Sequence, residues 1–447
     1  MGGGEGAEAA RELLEKNDVH TVECMFADVW GIPRGKRLPA SQFLKALDRG
    51  FALANIVMTW DMHCFIFDTP FCPFESGWPD LAAIPDPSTL RLATWREGTA
   101  LCVCDTVDER THEPLPVDSR NQLRRAVERV QAHGYEPVTA TEIEFHLCAN
   151  DWEPLYTGVH CYSITKGAEL EPIVGDIRAK LAGIGIVVEA CNVEYGPAQV
   201  EVNLEHGPAL RVADDTMIFK YVVKEVARQH GARATFMAKP FPGEAGNGLH
   251  VHQSLRPLDG GSNVFAVEDV EGDVPIRSTA MRRYLTGLLA HQIELTAINC
   301  PTINSYKRFE DYSFAPTAVT WGGDNRTVAV RSVVGHGSAN RLEARGASAD
   351  ANPYLVLAGL LHAGSDGLAR YLPLPDFTSG DAYVDTTSPR LPVTLREALA
   401  ALGGSSFYRE AYGDMFVDTF VAMVRHEVDL FARQVTDWER SRYMEIV

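Results

Sequence analysis

The chain has 447 residues, with 41 basic against 60 acidic side chains and a net charge of −19. That balance disfavours nucleic acid or an anionic membrane as a partner, while a hydrophobic content of 45% is ample for a large core. The nine cysteines, an odd number without a CxxC pair, fit a reduced, cytoplasmic compartment better than a disulfide framework.

The N-terminal MGGGEGAEAA lacks the basic and apolar regions of a signal peptide, and its glycines predict a frayed tail. Short β-like runs, TVECMFADV and TALCVCDTV, occupy the first part of the chain between Gly and Pro punctuation. Cys102 and Cys104 point the same way along the second run, where they cannot readily bridge. EPLPV marks a boundary, giving a small domain over residues 1–113 and a large one over 114–447. A helix follows from about Asp118, with apolar residues at Leu123, Val127 and Val130 and a close at Gly134. A second helix runs from about Ala209 to His230 and stops at Gly231. Helices also fit Ser278 to Ile298, Pro353 to Leu372 and Tyr408 to Val435. The longest apolar stretch, Tyr354 to Leu361, is far shorter than the ~20 residues a membrane helix needs and reads as buried. Strands alternate with these helices, an α+β arrangement with helices on the outer face of a sheet.

Potential metal ligands stand along this frame: Glu142, Glu144, Glu194, Glu201, His250 and Glu343. The same-face spacing of Glu142 and Glu144 in TATEIEFHL aims both carboxylates into one space. A lone Glu-x-Glu is usually the solvated face of a sheet, and HVH at His250 to His252 could be an ordinary strand pair or half a zinc site. With glutamates predominating and no cysteine nearby, the set suits Mg²⁺ or Mn²⁺ better than zinc. Two such cations can cradle a transferring phosphoryl group. GIPRGKR lacks the spacer and the Ser or Thr of a phosphate loop, so it receives no nucleotide role.

The blocks carrying these residues, TEIEFHL, NVEYGPAQVEVNL, ATFMAKPFPGEAGNGLHVHQSL, NSYKR, DNRTVAVR and NRLEARGASADANPYL, resemble the glutamine synthetase superfamily in order and spacing. The resemblance implies a β-grasp-like N-terminal domain and a catalytic domain with an antiparallel sheet and outer helices. It assigns Glu144, Glu194 and Glu201 to one ion, and Glu142, His250 and Glu343 to another, within a set of two to three Mg²⁺ or Mn²⁺. Arg326, Arg331 and Arg341 match arginines placed around ATP phosphates, a task suited to permanently charged guanidinium forks. His252 and Ser254 match nucleotide-side positions. Arg308 and Arg345 match arginines that hold glutamate, and Gly246, Asn247 and Gly248 form a loop whose backbone approaches the acid substrate. The resemblance further implies a homo-oligomer of two hexameric rings, in which one N-terminal domain completes its neighbour's site.

The implied chemistry phosphorylates a carboxylate with ATP, and an amine then displaces phosphate. Ammonia users need acidic groups to capture and deprotonate NH₄⁺, and both such features look altered. Six residues after Arg308, where the family has a glutamate, stands Phe314. The TWDMHCFIFDTPF region lacks the family's Asp-Gly-Ser-Ser, although Asp61 or Asp68 could substitute. Ala245 replaces an asparagine that contacts the amino acid. These changes fit an organic monoamine with an apolar body, with Glu310 or Asp311 as a displaced general base. The γ-glutamylamide synthetases are the members this pattern resembles. An ammonia-using enzyme with a rearranged site, or a silent structural member, are the competing readings. Tyr383 lies near a position that some members adenylylate.

Overall fold

The computed structural model describes residues 3–272 and 274–447. Strands β1 (Thr21–Ala27), β2 (Pro33–Pro39), β3 (Phe51–Ala54), β4 (Asp80–Pro85), β5 (Arg91–Leu92) and β6 (Thr99–Asp108) form one sheet in the order β2-β1-β6-β4-β3, with β5 on β6. The β1–β6 pair is parallel, and it carries Cys24 opposite Cys102 in a buried row of free thiols. Helices α1 (Gly3–Lys16) and α2 (Ala40–Arg49) accompany this sheet.

The second sheet contains β7 (Tyr135–Cys148), β8 (Val188–Val193), β9 (Gln199–Leu204), β10 (Gly207–Pro208), β11 (Arg233–Thr235), β12 (Gly248–Pro257), β13 (Trp321–Gly323), β14 (Val330–Val333) and β15 (Arg341–Ser348). Its order is β13-β14-β15-β12-β7-β9-β8, antiparallel apart from the parallel β13–β14 pair, with β10 and β11 also on β7. Helices α3 (Ser119–Gln131), α4 (Ile164–Gly183), α5 (Ala209–Gln229), α6 (Thr279–Ala290), α7 (Gln292–Asn299) and α8 (Pro353–Ala369) follow, then α9 (Leu395–Gly404), α10 (Ser406–Tyr412), α11 (Asp414–Ala432) and α12 (Asp437–Tyr443). Helices α3, α4 and α5 pack on β7 and β8. The expected α+β architecture is present, and no helix is long and apolar enough to cross a membrane among the described residues.

The sequence expectations for the helices need three corrections. The supposed frayed tail is helix α1 from Gly3 onward, because Ala10 and Leu14, one turn apart, are buried in the core. The single helix expected over Ser278 to Ile298 is two, broken at His291, whose ring stacks on Phe407 at 3.6 Å and bonds Asp366 at 2.7 Å. The helix expected from Tyr408 to Val435 is interrupted at Gly413, whose φ of 90° a helix cannot contain.

Buried polar contacts tie the two sheets together. Arg120 on α3 donates to Asp214 on α5 at 3.0 and 2.9 Å and reaches Asp105 at 2.7 Å and Asp86 at 2.8 Å, while the Tyr354 hydroxyl donates to Asp214 at 2.6 Å. Asn352 caps α8 and donates to the carbonyls of Asp28 and Val29 at 3.1 and 3.2 Å. Gly31 sits so close that a Cβ there would lie 2.9 Å from the Asn352 Cα.

Candidate active site

Strand β7 alternates cleanly: Thr141, Ile143 and Phe145 are buried toward the helices, while Glu142 and Glu144 stand on the other face. The ladders then choose their partners. Glu142 faces Asn203 on β9 and His250 on β12, Glu144 faces Glu201 on β9, and Glu343 on β15 lies beside His252 on one side and Arg331 on the other. Five of the expected ligands are therefore on strands, and Glu194 occupies the turn just past β8.

Among the described residues, Glu142, His250 and Glu343 bring ligand atoms within 4.8 Å of one another, the one group of His, Cys, Asp and Glu that does so. His250 Nδ1 lies 2.7 Å from Glu142 Oε1 and 3.6 Å from Glu343 Oε1. Burial pushes the Glu142 carboxyl up, but hydrogen bonds to His250 and His252 outweigh it and hold the group well below its usual range. Glu343, 1% exposed, is likewise opposed by burial yet held down to about 2 by Arg345, His250 and His252. Arg331 donates to Glu343 at 2.9 Å and Arg345 donates to its other oxygen.

Glu144, Glu194 and Glu201 are less tightly drawn together, and their ligand atoms do not meet within that span. They share one space electrostatically, however. Burial and then the charges of Glu142, Glu144 and Glu194 push Glu201 well up, and burial with Glu144 raises Glu194. Mutually repelling carboxylates with a single imidazole among them are a hard-donor set that a divalent cation would relieve, so the residues fit Mg²⁺ or Mn²⁺.

Amides that sequence reasoning missed support these acids. Asn203 donates to Glu142 at 2.8 Å and Asn192 to Glu194 at 2.8 Å. Gln199 donates to the Gly246 carbonyl at 2.9 Å and to Asn247 Oδ1 at 3.1 Å. Each stands two residues from a glutamate on the same run, the spacing that could have revealed it. Fully buried Asn247 donates to the Met237 carbonyl at 2.8 Å, so it holds the loop and presents no free amide.

That loop carries Gly246 and Gly248 against Arg308: a Cβ on Gly246 would lie 2.6 Å from Arg308 Cγ, and one on Gly248 3.1 Å from its guanidinium and 3.3 Å from Glu144. Arg308 donates to the Ala347 carbonyl at 3.1 Å. On the other side of Glu142 a cavity of 440 Å³ gathers His252, Ser254 and Arg341. Arg341 Nε lies 3.1 Å from His252 Nδ1. Arg326 is exposed in the turn between β13 and β14, near Asp324, which is held low chiefly by its bond to Arg331. A larger cavity of 790 Å³ lies elsewhere, lined by Trp30, Lys220 and Phe236 and by none of the six expected metal ligands.

Phe314 is 41% exposed and its ring centroid lies 5.4 Å from that of Tyr195. On the same loop, Glu310 pairs with Lys239 at 3.2 Å and Asp311 is exposed. Asp61 is buried and turned inward, accepting from the His63 and Phe65 amides at 2.9 and 2.8 Å, and Asp68 accepts from the Phe74 amide at 2.8 Å. Tyr383 is buried with its hydroxyl donating to the Ala315 carbonyl at 3.1 Å, so this face of the chain offers no exposed hydroxyl there for adenylylation.

Residues 116–443 match the family model for the glutamine synthetase catalytic domain. The chain is 38% identical to a glutamate–isopropylamine ligase of Pseudomonas sp over 454 residues, covering 98% of this chain and 97% of that one. It is also 38% identical to a γ-glutamylethanolamide synthetase of Streptomyces coelicolor, covering 98% and 96%. The solved structure of ligand-free GmaS superposes with a TM-score of 0.86 at 30% identity, covering 98% of this chain and 99% of that one. On this shared catalytic domain, overall fold and near-complete coverage, the chain belongs to the glutamine synthetase family.

Proposed function

We propose that this chain is an ATP-dependent acid–amine ligase that joins the side-chain carboxylate of glutamate to an organic monoamine. The observation that carries the reading is the pairing of an acid cluster, Glu142, His250 and Glu343, with an apolar ring, Phe314, where an ammonium-handling carboxylate is expected. The names of the isopropylamine and ethanolamide relatives support the same assignment.

Arg308 and Arg345, with the Gly246–Gly248 backbone, orient glutamate beside Glu144. His252, Ser254 and Arg341 line the 440 Å³ cavity for ATP, and Arg326 and Arg331 neutralise phosphate charge. Glu144, Glu194 and Glu201 would hold one divalent cation and Glu142, His250 and Glu343 another, two to three Mg²⁺ or Mn²⁺ in all. When bound, these cations neutralise the phosphoryl oxygens. Glutamate's carboxylate oxygen attacks the γ-phosphorus of ATP, the bond from that phosphorus to the β–γ bridging oxygen breaks and ADP leaves; the amine lone pair then attacks the acyl carbon, the C–O bond to phosphate breaks, and the amine gives up a proton. Asp311 is the better base, since Glu310 is tied to Lys239.

We extend the proposal to the assembly: domains over 1–113 and 114–447, twelve subunits in two hexameric rings, and a cytoplasmic setting for the free thiols. Phe65 at 69% exposure and Phe74 at 54%, apolar rings on the Trp60 to Trp78 segment, favour coverage by a neighbouring subunit. Phosphate release with glutamate and ATP tests the reading. A hydrophobic primary amine should be used much faster than ammonium, and Phe314→Glu should move preference toward ammonium by roughly one to two powers of ten, the worth of about 1.5–3 kcal/mol of ring contact.

A further inference from the structure

Tyr195 had no role in the sequence pattern, yet it occupies a distinctive place. It follows Glu194 directly, and its backbone amide donates to the Glu194 carboxylate at 3.2 Å. The residue is 46% exposed, and its ring meets that of Phe314 at 5.4 Å with the planes inclined at 48°. Phe314 belongs to the segment that begins at Arg308, whose guanidinium lies beside Gly248 and Glu144. The aromatic contact therefore links the residue that follows Glu194 to the segment that follows Arg308.

The segment carrying Phe314 is held in a costly shape. Tyr312 and Phe314 both adopt left-handed backbone, φ 65° and 61°, which a bulky side chain takes only when its surroundings enforce it. The enforcing contacts come from Tyr383 and Lys239. Tyr312 packs on Tyr383 at 5.3 Å, the Tyr383 hydroxyl holds the Ala315 carbonyl, and Glu310 pairs with Lys239. These anchors fix the far side of the loop, and the Tyr195 contact braces the Phe314 ring from the Glu194 side. Both rings remain partly open to solvent, so their inclined faces leave apolar surface for a third group.

We infer that Tyr195 is a specificity-determining residue, its ring forming with Phe314 the two-sided apolar wall that receives the organic part of the amine. The inference rests on the amine-ligase reading and adds a residue to it. An alkyl group seated in the angle of the two touching rings is desolvated by both, whereas ammonium or methylamine has little to bury there. Tyr195 thus selects for bulk, and its hydroxyl is dispensable.

The test compares kcat/KM for isopropylamine and methylamine in the assembled enzyme and in Tyr195→Ala, Tyr195→Phe and Phe314→Ala variants. Tyr195→Ala should lower the isopropylamine-to-methylamine ratio by about tenfold, the scale of an apolar pocket's discrimination, with the KM for glutamate and ATP little changed. Tyr195→Phe should keep the wild-type ratio. The Tyr195→Ala and Phe314→Ala effects should not add in the double variant, because each removes one side of the same wall. An unchanged ratio in Tyr195→Ala, or an equal loss for both amines with a raised KM for glutamate, overturns the inference while leaving the ligase reading intact. A wild-type enzyme that prefers ammonium to both amines overturns the two together. Circular dichroism of each variant separates these outcomes from misfolding, and the exposed Tyr195→Phe variant stays informative if the alanine variant does not fold.

Discussion

Replacing Glu343 should separate its two roles, as a charge partner and as a metal ligand. Its side chain is 1% exposed and lies between Arg331 and Arg345, whose own side chains are 14% and 6% exposed. Glu343→Ala leaves Arg331 with Asp324, but leaves Arg345 without a carboxylate, and Arg345 Nε already lacks a partner among the described residues. Breaking a buried ion pair from one side costs about 3–5 kcal/mol, mostly the uncompensated charge left behind. Glu343→Gln also removes the counter-charge but keeps shape and one acceptor, so it should cost somewhat less. The two variants should nevertheless lose Mn²⁺ affinity alike, by at least about 100-fold, since outer partners of metal ligands alone account for 10–100-fold. Denaturant unfolding and Mn²⁺ titration by electron paramagnetic resonance read the two effects separately. A glutamine variant that binds Mn²⁺ as wild type does would refute the ligand role, and an alanine variant of undiminished stability would refute the ion-pair argument.

Other outcomes follow from single contacts. Burial, with the charges of Arg129 and Arg125, brings the His362 imidazole down from 6.5 to about 3. The unfolded chain therefore binds the extra proton first, so this group's contribution to stability is complete above pH 6.5 and lost on acidification toward pH 3; at pH 5 the loss is about 2 kcal/mol. Unfolding midpoints measured between pH 7 and 5 should fall less steeply in His362→Phe. Gly246→Ala puts a Cβ 2.4 Å from the Ala238 carbonyl oxygen and 2.6 Å from Arg308 Cγ, so the KM for glutamate should rise about tenfold with the KM for ATP nearly unchanged; equal changes in both would point to general disruption. Mixing Glu144→Ala subunits with subunits altered between Trp60 and Asp68 should restore some activity if sites are shared, and no restoration would count against the ring.

The acids were legible because strand alternation is local: Glu142 and Glu144, two residues apart, had to share a face. The supporting amide of Asn203 was not, since it meets Glu142 only through ladder register, which single-strand patterns leave open. Helix ends at Gly134 and Gly231 were readable from glycine chemistry. Helix α4 was not, because Gly167, Pro172, Gly175 and Gly183 interrupt its periodicity. Helix α1 was mistaken for a tail because its sequence shows three glycines at the start and hides the seat that Ala10 and Leu14 find in the core. Tyr195 escaped notice because an exposed aromatic after a ligand means nothing until Phe314, over a hundred residues away, is seen against it.

The central claim is that an organic amine, not ammonium, is the nucleophile. Phosphate release by the wild-type enzyme, with glutamate and ATP held saturating and isopropylamine, ethanolamine, methylamine or ammonium supplied at equal concentration, measures it most directly. The account predicts the highest kcat/KM for an amine with an apolar body and the lowest for ammonium. Faster turnover with ammonium than with every amine would contradict it.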